Sequence, residues 1–165
     1  MVIQTIGSSE GEGAVVERDP WIALSIEWLP RPHGQPLYVR ASGTRGGELE
    51  LKVDPSTGLL VKAVVIEAPP TVEAPRASSG VSVQECSVPI LDPILWQGAG
   101  LQDLSAENLA GKVVSCTMDL GFWETGSEVG LIFEDSVPDR YLSCGGVQVG
   151  VSVSGSIVEI RTQAD

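Results

Sequence analysis

Apolar and polar positions are most regular between Glu48 and Glu67, ELELKVDPSTGLLVKAVVIE. Leu49, Leu51 and Val53 alternate with Glu48, Glu50 and Lys52. A period of two puts the two sets on opposite faces of an extended backbone, one buried and one wet. Asp54-Pro55-Ser56-Thr57-Gly58 then interrupts the run. Pro55 presets φ, Asp54 offers oxygens to nearby N–H groups, and Gly58 accepts a positive φ. From Leu59 to Glu67 the alternation blurs into a β-branched run with Val61, Val64, Val65 and Ile66. That pattern predicts a second strand, buried on both faces, and the whole stretch predicts a hairpin.

The rest of the chain follows the same pattern less cleanly. Met1 to Ile6 and Ala14 to Glu17 are short strand candidates, separated by a polar glycine-rich loop, Gly7 to Gly13. Ile22, Leu24, Ile26 and Trp28 alternate with polar or small residues, so a strand is expected up to Leu29. Asp19 and Pro20 also fit the start of a helix there. Pro30, Pro32 and Pro36 frame a connection that holds His33. Leu37 to Ala41 reads as a strand and Ser42 to Gly47 as a turn. Residues 68–80, APPTVEAPRASSG, form a proline-rich connection between two sheets or two halves.

Beyond it, Val81 to Val88 is a weaker strand and Pro89 to Gly100 an apolar segment broken by prolines. Leu101 to Gly111 predicts one short helix, near 103–110, capped by Ser105, stapled by Leu104 and ended by Gly111. Strands are expected at Lys112–Leu120, Glu128–Glu134, Arg140–Cys144, Val147–Val153 and Ser156–Thr162, with a turn from Gly121 to Gly126. The final hairpin, SVSGSIVEI, partly echoes KVDPSTGLLVKAVVI. The expectation is a mainly β fold of antiparallel meanders and hairpins, closed as a sandwich or an open barrel. It is one domain over 1–165, either undivided or built from two similar halves, 1–70 and 81–165.

Composition narrows the class. With 165 residues, a 42% hydrophobic content and only 5% aromatics, the chain can bury a core made mostly of Val, Ile and Leu. No leader-like start and no run long enough to span a membrane are visible. Three widely spaced cysteines, Cys86, Cys116 and Cys144, fit reduced cytoplasmic thiols better than a disulfide framework. The net charge is −12, from 22 acids and 10 bases. Residues 1–80 hold ten acids and seven bases, whereas residues 81–165 hold twelve acids and three bases. Such a field favours a basic protein partner and opposes nucleic acid. Its plainer reading is solubility.

Chemistry-bearing motifs are scarce. Any Ser-His-Asp or Cys-His arrangement must run through His33, in the exposed-looking RPHGQP loop. No spacing characteristic of zinc, dinucleotide or P-loop binding is present, so no metal or cofactor is expected. Acids do crowd one region: Asp119, Glu124, Glu128, Glu134, Asp135 and Asp139. Phe122 and Trp123 lie among them, in the expected turn. Large rings at a loop tip ringed by acids suit a surface that receives Lys or Arg. The alternative for the rings is to fold back over the core, and for the acids to form a solvated face.

These eight residues are the candidate partner-binding site, and no catalytic residue is assigned. The expected function is a small acidic cytoplasmic protein-binding module, not an enzyme. Its physical type is similar to that of bacterial immunity or antitoxin-like inhibitors, although no motif carries a family assignment. Two alternatives stand beside it. One is a structural or assembly β-subunit. The other is a small-molecule-binding barrel or carboxylate-using enzyme, which needs a closed cavity.

Overall fold

The computed structural model describes residues 2–76, 79–98 and 100–164. They form fourteen strands and two short helices. The first stretch carries β1 (Thr5–Glu10), β2 (Gly13–Glu17), β3 (Ser25–Leu29), β4 (Leu37–Gly43), β5 (Glu48–Val53) and β6 (Leu60–Glu67). Next come β7 (Ser82–Glu85), β8 (Ser87–Leu91), α1 (Ile94–Gly98) and α2 (Ala106–Leu109). The last stretch carries β9 (Val113–Met118), β10 (Gly121–Glu124), β11 (Glu128–Ile132), β12 (Arg140–Cys144), β13 (Val147–Val151) and β14 (Ile157–Gln163).

The hairpin expected at 48–67 is β5 and β6. Leu49, Leu51 and Val53 are buried, and Gly58 takes a φ of 77° in the turn. The Asp54 carboxylate accepts the Ser56 N–H at 2.8 Å, holding the turn as the local sequence requires. β6 departs from the two-faced burial expected of it. Lys62 and Val64 are half-buried and Ile66 is exposed. Val53 pairs with Leu60 but Lys52 pairs with Lys62, so Val61 is an extra residue in a bulge. Leu60 and Val61 are consequently both buried, with Leu60 in the apolar core.

The strands assemble into a sandwich-like arrangement of mixed sheets. One sheet has the order β2-β3-β6-β5-β4-β9, the other β10-β11-β14-β13-β12-β7, and β1 pairs with β8 separately. Both large sheets follow one plan. Five strands consecutive in sequence lie in the order first, second, fifth, fourth, third, and a sixth strand runs parallel to the third. The fourth-to-fifth hairpin has the same bulge in each, with Val158 skipped between Val151–Ile157 and Gly150–Glu159. The Gly58 carbonyl accepts the Leu91 N–H and the Gly155 carbonyl accepts the Thr5 N–H, each at 2.8 Å. Thr5 and Leu91 are themselves partners in the β1–β8 ladder, which therefore links the two hairpin turns. One apolar cluster includes Leu24, Leu51 and Leu60 of the first sheet region and Leu131, Val149 and Ile160 of the second.

Several local expectations are corrected. The polar stretch from Gly7 to Glu10 is not a loop but the body of β1, because β8 supplies its ladder partners. The run from Val81 to Val88 bends at Cys86, whose φ is 53°, and serves two sheets as β7 and β8. Pro89 and Ile90 continue β8 in a two-stranded ladder that tolerates proline, and α1 follows. The described residues thus hold two short helices in place of one. α2 is the expected helix cut to its last turn; Ser105 accepts the Asn108 N–H at 3.4 Å and Gly111 follows with a φ of 72°. Strand β3 starts only at Ser25, because Asp19 accepts the N–H groups of Trp21 and Ile22, both at 2.7 Å, and holds a turn. Strand β13 ends at Val151, and Val153 lies exposed in the following turn. The expectations at Met1, Ala77, Ser78 and Ala99 fall outside the described residues.

Candidate functional site

The β10–β11 hairpin carries two of the six acids singled out in the sequence, Glu124 and Glu128, and three more flank it. Phe122 and Trp123 do not sit at an exposed turn. They belong to β10 and are 9% and 3% exposed. Phe122 pairs with Leu131, and both join the core cluster. Trp123 points to the opposite face and lies over Gly130, where a Cβ would approach the indole to 2.6 Å. Glycine at 130 therefore makes room for the ring. The free edge of β10 is covered by the proline-rich connection: Phe122 N–H donates to the Pro70 carbonyl at 3.0 Å, and Val72 N–H to the Phe122 carbonyl at 2.9 Å.

The hairpin has two ends, and the acids divide between them. At the Gly121–Ile132 end a cleft of about 290 Å³ opens. Its walls bring together Asp119, Glu134 and Asp135 with Glu73, four carboxylates facing the single guanidinium of Arg45. Arg45 donates to Asp119 at 2.9 Å, and that hydrogen bond holds the Asp119 carboxyl below its ordinary value. Glu134 accepts the Ser156 hydroxyl at 2.6 Å. Glu73 and Asp135 are exposed and have no hydrogen-bond or ion-pair partner among the described residues.

At the other end stand Glu124 and Glu128. Arg18 donates to both oxygens of Glu124, at 2.9 and 3.0 Å, and the bond holds the Glu124 carboxyl below its usual range. Glu128 is half-buried at the start of β11. Asp139 belongs to neither group; it lies exposed before β12, 4.0 Å from Arg140. Among the described residues no three His, Cys, Asp or Glu side chains converge as a metal-binding group.

Arg18 leads to a residue that the sequence analysis passed over. Besides clamping Glu124, it donates to the Ala23 carbonyl at 3.0 Å, and Asp19 N–H donates to the Ile22 carbonyl at 3.0 Å. With the two Asp19 carboxylate bonds, these fix the 18–23 loop against β10. Trp21 stands on that loop at 90% exposure. It shares the parity of Ala23, Ser25 and Glu27, the outward set of the alternating run, but a ring this large drew no notice outside the apolar set, and the turn at Asp19 lifts it clear of the strand. Glu73 was missed for a similar reason, since its segment looked like a linker.

Two further groups lie elsewhere. His33 lines a separate cleft of about 270 Å³ with Asp54 and Ser56. Ser56 Oγ donates to Asp54 at 2.6 Å, and His33 bonds to neither. Glu159, 1% exposed on β14, accepts the Tyr141 hydroxyl at 2.5 Å through one oxygen, while its other oxygen and the Trp123 Nε1 are the buried side-chain polar atoms left without partners among the described residues. No described helix is long and apolar enough to cross a membrane. The sequence matches no protein-family model, and no curated protein matches it.

Proposed function

We propose that the protein is a small acidic protein-binding module for a basic partner, in the manner of an immunity or antitoxin-like inhibitor. The observation that carries this reading is Trp21, a fully presented indole on a loop pinned by Arg18 and Asp19, joined to Glu124 through the Arg18 clamp. A rigid exposed aromatic beside carboxylates suits an arginine- or lysine-bearing surface, through ring burial and cation–π attraction. The four-carboxylate cleft and the net charge of −12 add long-range steering for the same kind of partner and oppose polyanions. Three free thiols fit a reducing compartment such as the cytoplasm. In this reading Phe122 and Trp123 support the hairpin from within and make no contact with the partner.

The test starts from proteins that copurify with the chain from its native host, identified by mass spectrometry. For a basic partner so obtained, Trp21→Ala weakens the complex about tenfold or more with no loss of melting temperature. Glu73→Lys with Asp135→Lys slows association and reduces its salt dependence. Recovery of no basic partner, or a complex indifferent to both changes, rules the reading out.

One observation favours the assembly alternative. β9 ends the first sheet and shows uncharged Val113, Ser115 and Thr117 to solvent, an edge without charge or proline to blunt it. Light scattering that finds a stable oligomer blocked by Ser115→Lys supports assembly over the inhibitor reading.

A further inference from the structure

The outward face of the first sheet mixes both signs, but one corner of it gathers cations. One row across it runs Glu27, Lys62, Lys52 and Tyr38, on β3, β6, β5 and β4. Lys62 Nζ donates to Glu27 at 3.2 Å, and Arg31 pairs with the other oxygen of the same carboxylate. Burial pushes the Glu27 carboxyl up, but its bonds to Lys62 and Arg31 outweigh that and hold it below its ordinary value. Glu27 is thus committed to two cations. Lys52 stands directly opposite Lys62, and no carboxylate pairs with it among the described residues. Its ammonium lies 5.4 Å from the centre of the Tyr38 ring.

Like charges directly opposite each other oppose sheet formation. The fold keeps this pair in a chain where acids outnumber bases 22 to 10. A pocket of about 200 Å³ borders the pair, lined by Arg31, Lys52 and Lys62 with Glu27 as its carboxylate, and walled by Pro32 and Pro36. Three cations against one carboxylate leave it formally +2. A space of this size holds a few waters or one small ligand.

We propose that this pocket is a binding site for a small oxyanion, the phosphate or carboxylate group of a metabolite, bridging Lys52 and Lys62. The anion supplies the charge that the sheet row lacks, Arg31 closes over it from the Pro30–Pro36 connection, and Pro32 and Pro36 take the apolar remainder. The site is separate from the acidic hairpin, so partner binding and anion binding stand or fall independently.

Calorimetric titration at low ionic strength with inorganic phosphate, glycerol phosphate and succinate tests the assignment on the full chain. Saturable binding of at least one probe is expected, with a dissociation constant on the order of 1 mM or tighter. Preference among the three distinguishes a phosphate from a carboxylate ligand. Lys52→Gln weakens binding about tenfold. It is expected to fold and to melt no lower than wild type without anion, since it removes the opposed charge. Phosphate raises the melting temperature of wild type, but not of Lys52→Gln, relative to chloride at equal ionic strength. Arg31→Gln, an exposed change, weakens binding to a smaller degree. No saturable binding by any probe, or equal binding by wild type and Lys52→Gln, overturns the proposal.

Discussion

Glu159 shows how one residue can constrain its neighbours. It is buried on β14 opposite Gly150, where a Cβ would come to 3.0 Å from its side chain. The Tyr141 hydroxyl satisfies one oxygen, and the Arg161 guanidinium sits 4.4 Å from the Tyr141 ring centre. Tyr141→Phe keeps the ring but leaves the carboxylate bare, which costs roughly 1–3 kcal/mol in denaturant unfolding. Burial, with the Glu159 hydrogen bond behind it, pushes the Tyr141 hydroxyl above its ordinary value. The folded state therefore holds that proton after the unfolded state has lost it. Its contribution to stability is complete below about pH 10 and declines as pH rises beyond it. Melting temperatures of wild type should accordingly fall more steeply above that pH than those of Tyr141→Phe. Parallel curves would show that this hydroxyl has no such role. Neither Glu159 nor Trp21 could be assigned from pattern alone. A glutamate in an alternating run reads as solvent-facing, and the pattern ahead of Ile22 fitted a strand and a helix start equally, so it gave Trp21 no defined place.

At the scale of elements, the sequence was most informative where a strand and its partner are neighbours in the chain. β5 and β6 were legible because the turn at Asp54–Gly58 and the alternation before it agree. β1 was not, because its ladder is with β8, far along the chain, and its own residues are polar and glycine-rich. β10 was misread as a turn because glycines flank it; its strand character comes from pairing with β11 and from the covering segment at 70–72. The acids of the candidate site were visible, but their division between the two hairpin ends depends on that pairing. The bend between β7 and β8 also makes a chemical distinction among the three thiols. Cys86 is exposed at the bend, whereas Cys116 and Cys144 are buried and burial raises both thiols above their ordinary values. A thiol reagent should therefore label one cysteine in the native protein, Cys86 by peptide mapping, and the other two only on unfolding. Prompt native labelling of a second would place the strand ends differently.

For the whole molecule, the repeated strand order spans 13–67 and 121–163, yet neither stretch completes its own sheet. β9 closes the first sheet beside β4, β7 closes the second beside β12, and β1 with β8 ties the two hairpin turns together. The connection at 68–80, which looked like a spacer, is partly docked on β10. Fragments 1–76 and 79–165 should each lack a cooperative melt alone and regain it when mixed, followed by circular dichroism and size-exclusion chromatography. Independent cooperative melting of both fragments would mean that the exchanged strands are dispensable. Charge follows the same asymmetry at this scale, with carboxylates gathered around the second hairpin and lysines opposed on the first sheet.

The pairing of β4 with β9 also bears on how the protein is made. Register runs from Tyr38–Val113 to Gly43–Met118, so the first sheet cannot close its last edge until residue 118 has left the ribosome. At translation rates of about 5–20 residues per second, β4 waits roughly 4–15 s after its own emergence with one edge unpaired. During that interval its alternating apolar residues and bare N–H and C=O groups are open to other nascent chains. The length of that exposure is a consequence of topology, set by the distance along the chain between two parallel strands.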